Sequence, residues 1–325
     1  MIRDTVMKKE LPIDIDNFRT IREGNYYYID RTLMIKDIMK TKHTVTLITR
    51  PYQFGKTTAM TMLREFFDIT TDSQALFEGL AIMGTAYAEC INSRPVIYLG
   101  LKECIGSNVE AMKFKIAERL AEEYEKYRVL FAQKEIDESM RVYRGFSAMC
   151  DMLDEVTLRD QDISHHLLAG SLACLMKAVY TCYQVKPLVL IDDYDQGIIW
   201  ARRQGFRKEI VDFFAEFFGA AFHGEANLGQ AVMTGYQGMA RERVFSKIND
   251  LSVYTLRSKH YTKYLGLTVD EVQGVFDYYE MNHGIYHVHT FDDGYQFGKN
   301  QRMYRPKSIF TFVKEIRSAC DACTG

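Results

Sequence analysis

The sequence has little proline, 5 residues in 325, and no apolar run near the roughly 20 residues that a membrane-spanning helix needs. We therefore expect no membrane association through such a helix. The net charge of −2 supplies no overall field that would attract nucleic acid or an anionic membrane, although it leaves room for a local basic patch. The chain is long enough for one large domain or two modest ones.

The seven cysteines do not form the framework of a disulfide-rich protein. Cys320 and Cys323 are spaced C-x-x-C, but no second pair and no histidine lie near them, which favours two incidental thiols over a metal site. The first ten residues are charged and lack the apolar core of a secretion signal. These features predict a cytoplasmic protein.

One stretch combines a strand, a turn and a helix in the order that a phosphate-binding loop requires. The apolar run 45–48 predicts a buried strand, Gly55-Lys56-Thr57 follows a turn, and residues 58–67 have a helical pattern. Backbone N–H groups at such a helix start converge on one place, which suits a polyphosphate. Lys56 would place its ammonium between the β- and γ-phosphates, and Thr57 would offer its hydroxyl to Mg²⁺. Without a ligand, we expect Lys56 to face solvent.

The loop departs from the full G-x-x-x-x-G-K-[ST] pattern, because Arg50, followed by Pro51, stands where the first glycine belongs. On spacing alone, a helix N-terminus with an exposed lysine remains the alternative interpretation.

Strand and helix patterns alternate through most of the chain. Apolar strand patterns recur at 94–99, 188–191 and 231–234, and helical patterns cover 108–131, 168–183 and 200–222. Residues 133–170 have a further helical pattern, which Gly145 is expected to interrupt. This order predicts an α/β fold with a parallel sheet and helices on both faces. Near the N-terminus, residues 26–29 predict a short strand that includes Tyr26, Tyr27 and Tyr28. These tyrosines would pack within the protein or stack on an adenine.

The pattern changes after residue 245, and we divide the chain into a core at 1–245 and a small α+β, lid-like domain at 246–325. Thr268 and Glu271 have the spacing of a capping box before a helix at 269–279. Residues 283–304 predict a hairpin, and a last helix is predicted at 308–319. His283, His287 and His289 form a dense histidine cluster in the hairpin segment, where we favour a hairpin without metal over a metal site.

Two carboxylates follow the central strand 188–191. Asp192 would lie at the carboxyl edge of the sheet, where open parallel sheets bind ligands, and would hold Mg²⁺ with Thr57. Asp193 would polarise the attacking water. The alternative interpretation of this stretch is an acidic turn that caps the next helix.

Thr234, at the end of a neighbouring strand, is a candidate sensor of the γ-phosphate, with a local turn bond as the alternative. Arg241 and Arg243 are candidates to contact the γ-phosphate, in the same chain or in a neighbouring subunit. Solvated surface arginines are the alternative for both.

Several segments resemble the AAA-ATPase-like family of bacterial predicted ATPases. They are Leu11-Pro12-Ile13, Tyr27-Tyr28-Ile29-Asp30-Arg31-Thr32, the loop from Thr49 to Thr57, Leu190-Ile191-Asp192-Asp193-Tyr194-Asp195, Met233-Thr234-Gly235, Asp293-Gly294-Tyr295-Gln296-Phe297-Gly298 and Tyr304-Arg305-Pro306-Lys307-Ser308. The resemblance implies a P-loop NTPase fold, with ATP and Mg²⁺ as ligands. It implies nucleotide contacts from the loop residues Arg50, Gln53, Phe54, Gly55, Lys56, Thr57 and Thr58. Arg50 in place of glycine is usual in this family.

The resemblance therefore implies a magnesium-dependent ATPase. The family usually has glutamate where this chain has Asp193, so we expect slow hydrolysis without a protein partner or a homo-oligomer to close the site. A nucleotide-binding regulatory or interaction module that does not hydrolyse is the alternative. Family members often carry a PD-(D/E)XK nuclease-like domain; no D…[DE]-x-K arrangement follows Lys307, so we expect such a nuclease to be absent or on a separate chain.

Overall fold

A computed structural model describes residues 7–133, 140–159, 164–224, 226–236, 243–281, 294–297 and 301–324. Its main sheet has five parallel strands in the order β2-β3-β4-β1-β5. The strands are β1 Val45–Thr49, β2 Val96–Gly100, β3 Leu188–Asp192, β4 Gln230–Gly235 and β5 Leu251–Tyr254. Because all five run parallel, the loop after β1 and the acidic turn after β3 reach the same edge of the sheet, separated only by β4.

Ten helices are described: α1 Phe18–Glu23, α2 Leu33–Lys40, α3 Lys56–Phe67, α4 Val109–Ala132, α5 Arg141–Arg159, α6 His165–Tyr183, α7 Gln196–Gln204, α8 Arg207–Phe222, α9 Val269–Tyr278 and α10 Pro306–Thr324. None of these is long and apolar enough to pass through a lipid bilayer.

Two apolar cores cover the two faces of the sheet. Successive strand residues lie on opposite faces of the sheet. Leu47 belongs to the core formed with α4 to α8, and Ile48 belongs to the core formed with α1 to α3. All residues of β1 and of β3 are buried, as expected for central strands that helices cover on both sides. The predicted α/β fold with helices on both faces of a parallel sheet is confirmed.

Three local predictions were wrong. Residues 26–29 do not form a strand, because Tyr27 packs its ring against Tyr278 and Phe310 of the C-terminal helices instead of pairing in a sheet. The helix predicted at 200–222 is two helices, since Gly205 ends α7 with a left-handed φ of 92°. Gly145, expected to interrupt the helical pattern, lies within α5.

The parallel sheet extends past the boundary predicted at residue 245, because β5 pairs with β1. Beyond β5, a second, antiparallel sheet has the order β6-β8-β7, with β6 Leu267–Thr268, β7 Tyr295–Phe297 and β8 Gln301–Tyr304. The predicted capping box of α9 is confirmed, with reciprocal hydrogen bonds between Thr268 and Glu271. A separate lid-like domain at 246–325 stays a prediction.

The N-terminal segment joins this C-terminal part of the molecule. Leu11, Ile13 and Tyr27 pack on an apolar cluster that includes Phe276 and Ile309 of α9 and α10. The N-terminal segment and the C-terminal helices therefore form one wall beside the loop between β1 and α3.

Candidate functional site

The loop between β1 and α3 contains two residues with left-handed backbone angles. Gly55 has a left-handed φ of 80° directly before the helix, a conformation that glycine adopts without steric cost. Gln53 also has a positive φ, 64°. The chain thus turns sharply into α3 and presents the N-terminus of that helix to the cavity described below.

Arg50 anchors the root of this loop and does not line the cavity. Its guanidinium is buried, and Nη1 donates to the carbonyl oxygens of Thr49 at 2.8 Å and Tyr254 at 3.2 Å. The guanidinium also lies over the ring of Phe297, and burial lowers the pKa of Arg50 to about 10. In this structure Arg50 links β1 to β5, and its predicted contact with nucleotide stays a prediction.

Phe54 ties the tip of the loop to the antiparallel sheet. Its buried ring stacks on Phe297 with ring centroids 5.6 Å apart and meets the edge of Tyr295 at 5.1 Å. Gly266 is also close, since a Cβ added there would lie 2.7 Å from Phe54 Cδ1. The conformation of the loop therefore depends on residues more than two hundred positions away.

Lys56 is buried, and the expectation that it faces solvent was wrong. Its side chain is 5% exposed, because Nζ donates to the Pro51 carbonyl at 3.3 Å and lies 3.4 Å from Asp193 Oδ1. Tyr52 covers it, with Nζ 5.5 Å from the ring centroid. The Lys56–Asp193 contact is an ion pair without a hydrogen bond, so Asp193 Oδ1 has no hydrogen-bond partner among the described residues.

The acidic turn after β3 is held by Thr234 of β4. The Thr234 hydroxyl donates to Asp192 Oδ1 and accepts from the backbone N–H of Asp193 at 3.2 Å. Asp193 has a left-handed φ of 52°. Thr234 therefore positions both carboxylates in this structure, while its role as a γ-phosphate sensor stays a prediction.

Asp192 and Thr57 form a pair of oxygen ligands suited to a hard divalent cation. Burial raises the pKa of Asp192 to about 6, with a further rise from the charge of Asp193, while the hydroxyls of Thr234 and Thr57 lower it through hydrogen bonds. A bound cation would offset the burial and the like charge together. The chemistry of this pair fits Mg²⁺.

Lys56, Thr57 and Asp193 line one cavity of about 490 Å³, whereas Asp192 and Thr234 are buried behind them and are not part of its lining. Its polar lining includes Gln53, Gly55, Lys56, Thr57, Thr58 and Asp193. Its apolar lining comes from the N-terminal segment and the C-terminal part, with Ile13, Tyr27, Tyr28, Ile29, Leu267 and Phe310. Ion pairs between Lys307 and Asp14 and between Arg31 and Glu271 connect the N-terminal segment to the C-terminal part.

Sequence reasoning missed two contributions to the cavity. Lys102 follows β2 at the same carboxyl edge of the sheet as Asp192. Open parallel sheets bind ligands at this edge, and the rule that predicted Asp192 would therefore also have selected Lys102. The wall formed by residues 12–16 and the start of α10 had no local signal, because it depends on tertiary packing.

Of the other predicted site residues, Arg243 does not line the cavity, and Arg241 lies outside the described residues. Arg243 is 70% exposed and ion-pairs with Asp212 of α8 at 3.3 Å, so a γ-phosphate contact would require this pair to break. That role stays a prediction. His283, His287 and His289 also lie outside the described residues.

The parallel sheet, the loop at the end of β1 and the acidic turn after β3 define a P-loop-like α/β protein. The family model for predicted AAA-ATPases matches residues 12–245, well over half of the chain, and the chain belongs to this AAA-ATPase-like family. The resemblance noted in the sequence is thereby confirmed.

The chain is also similar to a protein of Azotobacter chroococcum mcd 1, named only as an uncharacterized protein in the vnfD 5'region. The two are 23% identical over 271 residues, which is 83% of this chain and 45% of the relative. This chain thus spans less than half the length of the relative.

Proposed function

We propose that this protein binds ATP with Mg²⁺ and hydrolyses it slowly on its own. The observation that carries the proposal is the cavity at the carboxyl edge of the sheet, whose lining brings together Lys56, Thr57 and Asp193. A cation for the phosphates, a hydroxyl for the metal ion and a carboxylate that could orient water are the groups that phosphoryl transfer to water requires.

The polar part of the cavity would take the phosphates. Backbone N–H groups at the start of α3 and the Lys56 ammonium would bind their oxygens. Thr57 and Asp192 would hold Mg²⁺, which neutralises negative charge on the β- and γ-phosphates. The cation would offset the burial and the neighbouring charge of Asp193, which together raise the pKa of Asp192.

The apolar part of the cavity would take the base. Its volume of about 490 Å³ falls within the range of small-molecule sites, roughly 300–1,000 Å³. Tyr27 and Phe310 offer aromatic surface there, although they also pack on each other with ring centroids 6.3 Å apart. We propose that Tyr27 keeps its contact with Phe310 while it also contacts the base.

We propose that hydrolysis is slow because Asp193 is poorly placed to orient the attacking water. Its carboxylate pairs with Lys56, and it is one methylene shorter than the glutamate of the family pattern. A protein partner or a second copy of the chain that closes the site would raise the rate. We also propose a cytoplasmic location, which agrees with the free state of the five described cysteines.

A nucleotide-binding regulatory or interaction module that does not hydrolyse, as a partner of a nuclease on a separate chain, is the second candidate. The Lys56–Asp193 ion pair favours it, since a carboxylate held by the lysine is not free to orient water. Turnover by the purified protein separates the two candidates.

Calorimetric titration of wild type and Lys56→Ala with ATP and Mg²⁺ tests the site. We expect the variant to lose most of its affinity, because the phosphates lose a charge-assisted partner in a desolvated site. Lys208→Ala is the control, since Lys208 is an exposed lysine of α8. A melting curve checks that Lys56→Ala remains folded, and equal affinity in a folded variant would show that the site is misassigned.

A further inference from the structure

We propose that Lys102 contacts the terminal phosphate of a bound nucleoside triphosphate and makes the site prefer triphosphate over diphosphate. The inference rests on the proposed function and adds to it a residue that selects the substrate. Lys102 lines the same cavity as Lys56, Thr57 and Asp193.

The pairing of β2 with β3 places Lys102 beside the acidic turn. Gly100 is in register with Asp192, and the backbone N–H of Leu101 donates to the carbonyl oxygen of Asp192 at 2.9 Å. Lys102 is the next residue, and it lines the cavity together with Asp193. The water that Asp193 would orient attacks the terminal phosphate, so a cation of the lining at this edge of the sheet can reach that phosphate.

The backbone around Lys102 is fixed while its side chain is exposed. Leu101 and Cys104 on either side are buried, and Cys104 N donates to the Leu101 carbonyl at 3.2 Å. Further along, Trp200 of α7 donates from Nε1 to the Gly106 carbonyl at 2.8 Å. A solvated lysine on an anchored loop can turn toward an anion without refolding the loop.

Lys102 differs from the other cations that line the cavity in its ion pairing. Lys56 pairs with Asp193, Arg31 with Glu271 and Lys307 with Asp14. Within the described part of the chain, Lys102 is the cation of the cavity lining without an ion pair. Its ammonium has no carboxylate to give up when a phosphate binds, whereas each of the other three does.

The test compares nucleotides that differ by the terminal phosphate. Wild type, Lys102→Gln, Lys102→Arg and the surface control Lys208→Gln are titrated calorimetrically with ADP and with a non-hydrolysable ATP analogue, each with Mg²⁺. We expect Lys102→Gln to weaken the analogue about tenfold, the scale of one charge-assisted hydrogen bond, and to change ADP affinity less than about twofold. Lys102→Arg should retain most of the preference, and Lys208→Gln all of it.

Two results would overturn the inference, and they are distinguishable. If wild type binds both nucleotides and Lys102→Gln keeps the same ratio of affinities, Lys102 is a solvated surface lysine and the proposed function stands. If wild type binds neither nucleotide, the proposed function fails and the role of Lys102 fails with it.

Discussion

Asp193 shows how a single backbone angle constrains the chemistry of the site. A positive φ is uncommon outside glycine, but aspartate and asparagine adopt it more readily than most residues. The angle of 52° turns the carboxylate back toward Lys56, with the backbone N–H held by Thr234. Asp193, which we propose orients the attacking water, thus also holds Lys56 in an ion pair.

Replacing Asp193 should separate binding from hydrolysis. Asp193→Asn keeps the left-handed backbone accessible and removes the negative charge, so we expect it to abolish turnover while ATP affinity is retained or rises as Lys56 is released. Asp193→Glu should leave affinity similar and raise turnover if the longer side chain reaches the water, because a misplacement near 1 Å costs on the order of 10²-fold in rate. Phosphate release and calorimetry measure the two properties. Fast wild-type hydrolysis that Asp193→Asn does not slow would show that Asp193 does not orient the attacking water.

At the scale of elements, prediction succeeded where a pattern was local. The loop before α3 and the capping box of α9 each depend on residues that are close together in the sequence, and both were predicted. The strand β5 was missed because its residues Leu251–Tyr254 are few and only partly buried, so their apolar pattern is weak. The break between α7 and α8 depends on one residue, Gly205, inside an otherwise continuous apolar pattern.

The contact between the phosphate loop and the antiparallel sheet can be tested at Gly266. Its φ of 102° disfavours any side chain, and an added Cβ would lie 2.7 Å from Phe54 Cδ1 and 2.8 Å from Phe54 Cε1. We expect Gly266→Ala to displace Phe54, lower the melting temperature by several degrees and weaken ATP binding. The effect on binding would show that this sheet holds the loop in its binding conformation.

Gly274→Ala is the matched control for this substitution. Gly274 lies in α9 with no atom within 4 Å of an added Cβ, and alanine in a helix is more stable than glycine by up to about 1 kcal/mol. Calorimetry and thermal melting should therefore show an unchanged or slightly stabilised protein. Unchanged ATP affinity in Gly266→Ala would mean that the loop keeps its shape without the sheet.

At the scale of the whole molecule, the candidate site brings together three parts of the chain. The phosphate loop and the acidic turn were predicted because parallel strands end at one edge of the sheet. The opposite wall, from residues 12–16, 27–31 and 264–267, could not be predicted from sequence, since it arises when the N-terminal segment packs on α9 and α10. Local sequence therefore predicted the loop before α3 and the acidic turn, but not the wall opposite them.

Nucleotide binding should stabilise these three parts of the chain together. A ligand that contacts the loop and the apolar wall at once stabilises both against local opening, because opening either part loses binding energy. We expect ATP with Mg²⁺ to slow amide hydrogen exchange at 12–16, 27–31 and 264–267 as well as at 50–58. Hydrogen exchange followed by mass spectrometry measures all four segments in one experiment.

The controls decide what such protection means. Lys56→Ala, given the same ATP and Mg²⁺, should show none of it, since binding is lost. Helix α5, Arg141–Arg159, supplies no residue to the cavity lining and serves as the internal reference for unchanged exchange. If wild type is protected only at 50–58, the nucleotide contacts the phosphate loop alone, and the apolar wall is packing between the two ends of the chain with no part in binding the base.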